Sequence, residues 1–251
     1  MSGHVYSGQF YDYIDNGSRS SARAVARLML GEMRIASLLD VGGGHGAWAA
    51  EWLAAGVPEV LAMDGDYVDR DRLAVPAEHF LPHDLQQPFD LGRRFDLVQS
   101  LEVAEHLPGA AADAFVASLV GHGDVILFSA AVPNQGGEHH VNEQLPEYWR
   151  RKFAAHGYDA YDWLRPRLAE ERLVKPWYRF NSVIYANGAG APRLSDSVRN
   201  TIVPKGIALA AGGDLAWKLR RAAVSLIPKQ LVKPIAMAKA QVEAQFRGQA
   251  R

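Results

Sequence analysis

The sequence predicts an α/β protein whose mostly parallel sheet is wound in both directions from its centre. Three observations carry that expectation. Strand-like and helix-like apolar segments alternate from residue 22 onward, a glycine-rich turn follows the first strand, and acidic residues close the second and third. Such alternation implies helical crossovers between strands, which lay helices on both faces of a parallel sheet.

Strands are expected at 37–41, 59–64, 79–84, 95–101 and 124–130, and helices at 22–34, 46–55, 109–120 and 146–156. Two later apolar stretches, 158–163 and 181–187, would close a seven-stranded sheet as a C-terminal hairpin, with 164–180 inserted between them. Residues 188–214, with Gly188, Gly190, Pro192, Pro204, Gly212 and Gly213, read as a linker. A helical tail follows at 214–227 and, after a break at Pro228, at 234–246. In the tail Leu215, Leu219, Ala222, Ala223 and Leu226 share one face at helical spacing, with Lys218, Arg220 and Arg221 elsewhere.

Composition sets the bounds. A chain of 251 residues, 48% hydrophobic and 22% charged, suits one large globular domain or a domain with an appendage. The absence of cysteine excludes disulfides and thiolate metal sites. No apolar run approaches the roughly 18 residues of a membrane span and no signal pattern opens the chain, so the cytoplasm is the default expectation. Residues 190–251 hold 11 Lys/Arg and 3 Asp/Glu, the first 189 residues 16 and 25, so a tail of net charge +8 follows a body of −9. An acidic body argues against a nucleic-acid partner, because phosphate contacts dominate that affinity. The basic amphipathic tail suits peripheral contact with an anionic membrane surface, or docking on its own domain or a second subunit.

The most specific local signal is SLLDVGGGHGAW at 37–48, a strand ending in Asp40, then Gly42, Gly43, Gly44 and Gly46, then a helix. Glycine allows positive φ and close approach of a ligand, and the helix N-terminus beyond presents unpaired N–H groups. Gly42, Gly44 and Ala47 also satisfy the dinucleotide pattern G-x-G-x-x-A. Asp40 weighs against a dinucleotide, since a carboxylate there repels a pyrophosphate. It suits a ligand bearing an ammonium and a sulfonium, S-adenosylmethionine.

Further landmarks follow in order. Asp64 closes the second strand in VLAMDGD, Asp84 closes the third in LPHDL beside Leu85, and FDLVQSLEVAEHL spans 95–107. With these, residues 8–187 resemble a class I S-adenosylmethionine-dependent methyltransferase of a bacterial small-molecule or glycan-type subgroup, with a Rossmann-like fold. The resemblance implies that Asp64 accepts the ribose hydroxyls and that Asp84 and Leu85 meet the adenine. It also implies that Asp40, Gly42, Gly43, Gly44, Ser100 and Glu102 line the cofactor. The stretch FYDYIDNGSRSSA at 10–22 resembles a lid whose Tyr11 and Tyr13 close over the cofactor. Many relatives carry cysteine where Gly43 stands, a small departure where backbone contacts dominate. The division implied is a lid at 1–36, a cofactor-binding domain at 37–187, and a linker with a basic tail at 188–251.

Ligands in open α/β sheets bind outside the carboxyl ends of the strands. The loops after the fourth and fifth strands would then supply Glu102, Glu105 and His106, and His139 and His140. One reading makes His140, or His139, the general base that deprotonates a hydroxyl or amine, with His106 nearby. In a second, the order E-x-x-E-H followed by H-x-x-E resembles metal-dependent small-RNA 2′-O-methyltransferases and, in part, ubiquinone-biosynthesis O-methyltransferases. That resemblance implies a divalent metal such as magnesium on Glu102, Glu105, His106 and His140. A third gives His106 a structural role, capping a helix or hydrogen-bonding a carboxylate without touching substrate. A separate alternative for the whole chain is a cofactor-binding module that no longer methylates. In the insertion, Arg165, Arg167 and Arg179 with Trp177 and Tyr178 suit an acceptor with a ring face and an acidic group. The two aromatic residues equally suit covering the sheet edge. A small molecule is the expected acceptor.

Overall fold

The crossover pattern is realised in a computed structural model, which describes residues 8–227, with side chains from Gly17 onward. Helix α1 (Gly8–Glu32) precedes β1 (Ser37–Val41), α2 (Ala47–Ala54), β2 (Glu59–Asp64), β3 (Phe80–Pro82) and β4 (Leu97–Leu101). Then come α3 (Ala112–His122), β5 (Val125–Ser129), α4 (Pro146–Ala155) and β6 (Asp159–Tyr161). The chain continues through α5 (Leu164–Leu168), α6 (Pro176–Asn181), β7 (Val183–Ala186), α7 (Asp196–Arg199) and α8 (Leu215–Ser225).

The seven strands lie in the order β3-β2-β1-β4-β5-β7-β6. Only β7 runs against the rest, pairing antiparallel with both β5 and β6. The chain winds outward from β1 to β3 and returns to β4 on the other side of β1, so the winding reverses between β1 and β4. A crevice must open there at the carboxyl ends of the strands.

Each face of the sheet carries its own core. Leu38, Leu97 and Leu127 turn toward α1, α2 and Trp163, whereas Leu39, Val98 and Ile126 turn toward α3 and α4. Helix α1 shows why the first face closes. Ala22, Val25, Ala26, Met29 and Met33 recur at helical spacing and are at most 5% exposed. Arg19 and Arg23, one turn apart, both reach the buried Glu51 of α2.

Two parts of the chain depart from the expectation. Helix α1 starts at Gly8 rather than residue 22, because Gly17 and its neighbouring serines interrupt the apolar periodicity. Ser20 and Ser21 turn their hydroxyls back onto the Gly17 carbonyl, as serine does inside a helix.

The 188–214 segment, expected as a linker, is instead packed on the domain. Leu194, Val198 and Leu209 are buried, and Val198 is fully enclosed. The Ser195 N–H donates to the Glu32 carbonyl at 3.0 Å, and the Val203 N–H to Ala160 at 2.8 Å. The indole of Trp163 donates to Ser197 at 3.0 Å. Glycine and proline here shape turns that press apolar side chains onto α1 and β6.

In α8 the face that packs is that of Trp217, 5% exposed, while Leu215, Leu219 and Leu226 are exposed. The expected leucine face is therefore uncovered among the described residues. The second helical stretch at 234–246 lies outside them, as does the side chain of Tyr13. No described helix is long and apolar enough to cross a membrane.

A chain ending at Asn187 should therefore lose its cooperative thermal transition. The single change Leu194→Ala should lower stability by about 2–4 kcal/mol in urea unfolding, as truncation of a buried leucine does. An unchanged midpoint would return 188–214 to the status of a linker.

Candidate active site

The glycine turn sits where the winding reverses. Gly42 (φ 85°) faces Val103 at the end of β4 so closely that a Cβ would run into its side chain. Its N–H donates to the Met63 carbonyl at 2.7 Å, and that of Gly44 to Asp64 Oδ2 at 2.7 Å. A Cβ on Gly43 would stand 2.9 Å from Asp40 Oδ2, which accounts for a glycine at that position. Gly46, at φ 82°, then opens α2.

Asp64, 5% exposed, collects three donors: the N–H groups of Gly44 and Gly65, and the Tyr67 hydroxyl at 2.5 Å. It thereby ties the first loop to the end of β2. Asp40 is 3% exposed and its Oδ2 has no hydrogen-bond partner. Burial pushes its carboxyl from 3.8 to about 7, with the nearby Gln99 amide opposing and the Asp64 charge adding. Gln99 shares a register row with Asp40 and accepts from the Trp52 indole at 2.9 Å, while its amide nitrogen has no acceptor.

Ser100, expected to line the cofactor, is fully buried and belongs to the opposite side of the pleat from Gln99. The strand continues past it to Leu101, so Gln99 is the β4 side chain facing Asp40. Asp84 is exposed beyond β3 and caps its own turn through Gln86, with Leu85 buried beside it.

At the ends of β4 and β5 the acidic and imidazole residues do come together. Glu102 stands at φ 58° and is gripped by two amides, Gln135 Nε2 at 2.6 Å and Asn181 Nδ2 at 3.1 Å. Asn181 also donates to Gln135 Oε1 at 2.8 Å. Glu105, 1% exposed, has no hydrogen-bond partner on either oxygen among the described residues. Burial, reinforced by the charge of Glu102, holds its carboxyl well above the usual range, and burial also raises that of Glu102.

The His140 ring joins this cluster, whereas His139 touches it through its backbone, which hydrogen-bonds His106, and keeps its side chain exposed. The Nδ1 of His140 meets Glu143 Oε1 at 2.8 Å and its Nε2 lies 4.0 Å from Glu105. Its ring leaves no room for a Cβ on Gly137 and stands edge-on to His106 at 4.9 Å. His139 is exposed, with φ 57°. His106 keeps an exposed surface, yet desolvation of its ring and the neighbouring His140 bring its pKa to about 4. Ligand atoms of Glu105, His106 and His140 all lie within 4.8 Å of one another. Glu102, expected as a fourth ligand, falls outside that group because the two amides occupy its oxygens.

The insertion mostly spends its cations on structure. Arg165 pairs with Asp162 at 2.6 Å and donates to the Ala210 carbonyl, and Arg167 covers the Trp163 ring. Tyr178 is buried, edge-on to Trp48 at 4.9 Å, so it serves packing. Residues that the motifs did not single out do more. Arg220 of α8 donates to the Gln135 carbonyl at 2.7 Å, and Arg221 donates twice to that of Pro133. Helix α8 thus fastens the loop that carries His140. The run of basic residues marked the tail, but nothing local in the sequence pointed to those carbonyls.

The fold and this set of strand-end residues define an open α/β protein with a crevice of buried carboxylates where the winding reverses. The profile of a family described as "Methyltransferase domain" matches residues 11–167, and the chain belongs to that family. The chain thus carries a methyltransferase domain. Among solved structures, the methyltransferase domain of the bacterial protein CtHen1-C aligns at TM-score 0.50 and 16% identity, over 69% of this chain and all of that one. Magnesium protoporphyrin IX methyltransferase (ChlM) from Synechocystis PCC 6803, with bound cofactor, aligns at 0.49 and 18%, over 74% and 87%. DesVI of Streptomyces venezuelae aligns at 0.41 and 22%, over 52% of this chain and 60% of its own, so less than two thirds of DesVI is covered. No curated protein gives a significant match.

The burial of Asp40 has a measurable consequence. Its folded pKa of about 7 lies above the unfolded 3.8, so between those pH values the native state holds the extra proton and stability falls as pH rises. Relative to Asp40→Asn, the ligand-free wild type should lose on the order of 4 kcal/mol between pH 4 and pH 7, at about 1.4 kcal/mol per pKa unit. Parallel stability–pH curves for the two proteins would refute the assignment.

Proposed function

We propose that this methyltransferase moves the methyl group of S-adenosylmethionine to a hydroxyl or amine of a small, sugar- or glycan-related molecule, with His140 as the base. The observation that carries this reading is the orientation of His140. One ring nitrogen is held by Glu143 at 2.8 Å while the other faces into the cluster at the strand ends. A carboxylate on Nδ1 fixes the ring and stabilises the imidazolium that forms.

The acceptor oxygen or nitrogen attacks the methyl carbon, and the carbon–sulfur bonding pair withdraws onto sulfur, leaving a neutral thioether. The acceptor proton passes to His140 Nε2. The sulfonium is already activated, so alignment and proton removal carry the rate. Asp40 and Asp64 are the groups proposed to hold the cofactor's cationic and ribose parts, with the side-chain-free 42–44 turn leaving room for its approach, Asp84 and Leu85 beside its adenine and Gln99 facing Asp40. The Tyr67 hydroxyl occupies the Asp64 oxygen that a ribose hydroxyl would use, so it is the group to be displaced.

A second reading is favoured by one observation, the buried Glu105 carboxylate with no partner on either oxygen. Glu105, His106 and His140 suit a divalent cation, with Glu143 behind His140 as the outer carboxylate. Such a cation would lower the pKa of an acceptor hydroxyl and help orient it.

Four measurements test these readings. Asp64→Ala should weaken cofactor binding at least tenfold in calorimetry, since a charge-assisted hydrogen bond contributes about 1.5–3 kcal/mol. Binding should also weaken about tenfold for each pH unit below 7 in the wild type and stay flat in Asp40→Asn, because the cationic ligand requires the ionised carboxyl. His140→Ala should lower methyl incorporation from labelled cofactor by about 10²–10⁴-fold while leaving cofactor affinity unchanged. Full turnover in that variant would end the His140 assignment. Bound metal with chelator-sensitive turnover would select the metal form, and full activity without metal the histidine base alone.

A further inference from the structure

Two concavities lie side by side away from the glycine turn, of about 440 and 300 Å³, each walled by the 164–181 insertion and the segment leading into α8. Both are lined by Arg179, Phe180 and Asp214, so they form one groove. Volumes in this range suit a small molecule (about 300–1,000 Å³). The smaller end is lined by Lys175, Trp177, Arg179, Phe180, Trp217 and Arg220, and the larger adds Arg172.

The charge of the groove is unbalanced. Of its three carboxylates, Asp162 is held by Arg165, which leaves Glu170 and Asp214, the cap of α8. Against these two stand Arg172, Lys175, Arg179 and Arg220, an excess of two positive charges. The Nε of Arg179 is buried without an acceptor among the described residues, while one terminal nitrogen donates to the Ala169 carbonyl at 3.1 Å. Arg220 is an exposed residue whose guanidinium packs on the loop, which lowers its pKa, and no carboxylate among the described residues offsets this.

The groove also abuts the cluster at the strand ends. Phe180 lines it, and the next residue, Asn181, donates to Glu102. Arg220 lines it and holds the Gln135 carbonyl, while the Gln135 side chain holds Glu102.

We propose that this groove is the acceptor subsite and that the acceptor is an anionic sugar, bearing a carboxylate or a phosphate. The inference rests on the methyl-transfer reading above and adds the chemistry of the acceptor. The guanidinium groups take the anion through paired N–H donors, and the half-buried Trp177 takes the ring, with Phe180 and Trp217 forming the apolar floor. The ring's hydroxyls are then delivered toward His140 past the Glu102–Asn181 wall.

Ligand-observed NMR on the full chain saturated with S-adenosylhomocysteine tests this with four probes: glucuronate, glucose 6-phosphate, inorganic phosphate and glucose. At least one sugar anion should bind tenfold more tightly than glucose, and the two anions together tell carboxylate from phosphate. Arg179→Met should weaken that binding at least fivefold with S-adenosylhomocysteine affinity unchanged. The exposed Arg172→Gln should weaken it at least twofold, and it serves should Arg179→Met fail to fold. Equal binding of glucose, binding indifferent to both substitutions, no binding of either sugar anion, or phosphate alone binding as well as glucose 6-phosphate would each overturn the proposal. Sugar-anion binding in a protein that transfers no methyl would instead sink the methyl-transfer reading, so the two failures are distinguishable.

Discussion

Glu102 is gripped by the amides of Gln135 and Asn181, and four distant parts of the chain meet on that triangle. Glu102 ends β4, Gln135 belongs to the loop after β5, Asn181 ends α6, and Arg220 reaches Gln135 from α8. A non-glycine residue at φ 58° is strained, and such a conformation persists only where its surroundings over-determine it. Here both side-chain oxygens and the backbone N–H are engaged, the latter by Ser129. The insertion, the histidine loop and the tail are thereby made parts of one site.

Behind that triangle lies an electrostatic constraint. Asp40, Glu102 and Glu105 are carboxyls gathered near the carboxyl ends of the strands, and burial raises all three pKa values. A low-dielectric pocket tolerates such groups when neutral or when a cation arrives to meet them. S-adenosylmethionine brings both a sulfonium and an ammonium. The acidic body that argues against nucleic acid suits such a cationic cofactor, and the insertion, with Arg220 from the tail, supplies the opposite sign where an anionic acceptor is proposed to sit.

The tail shows how one composition can support different structures. Its charge run suits a membrane surface, a partner or its own domain equally well. In the folded chain Arg220 and Arg221 spend their donors on backbone carbonyls of the histidine loop, and Trp217 rather than the leucines supplies the buried face.

Strands β1, β2 and β5 could be read from the sequence because a buried parallel strand is a short apolar run bounded by turn residues, and this periodicity is local. The glycine turn and Asp64 were legible for the same reason, since chain reversal after a strand demands particular residue types at particular spacings. The sequence also brought Glu102, Glu105, His106 and His140 forward as candidates, because residues at strand ends fall on one side of an α/β sheet. It could not say which partners each would find. That Gln99 rather than Ser100 faces Asp40 depends on strand register, and a one-residue step reverses the face. That His140 turns inward while His139 stays outside depends on Gly137 and Glu143 folding beneath it. That 188–214 packs as core depends on long-range contacts with α1 and β6, and its glycines and prolines report only the turns. Local pattern determined the elements and the order of the candidate residues; side-chain partnership across distant segments, which no local pattern encodes, was decided only by the tertiary structure.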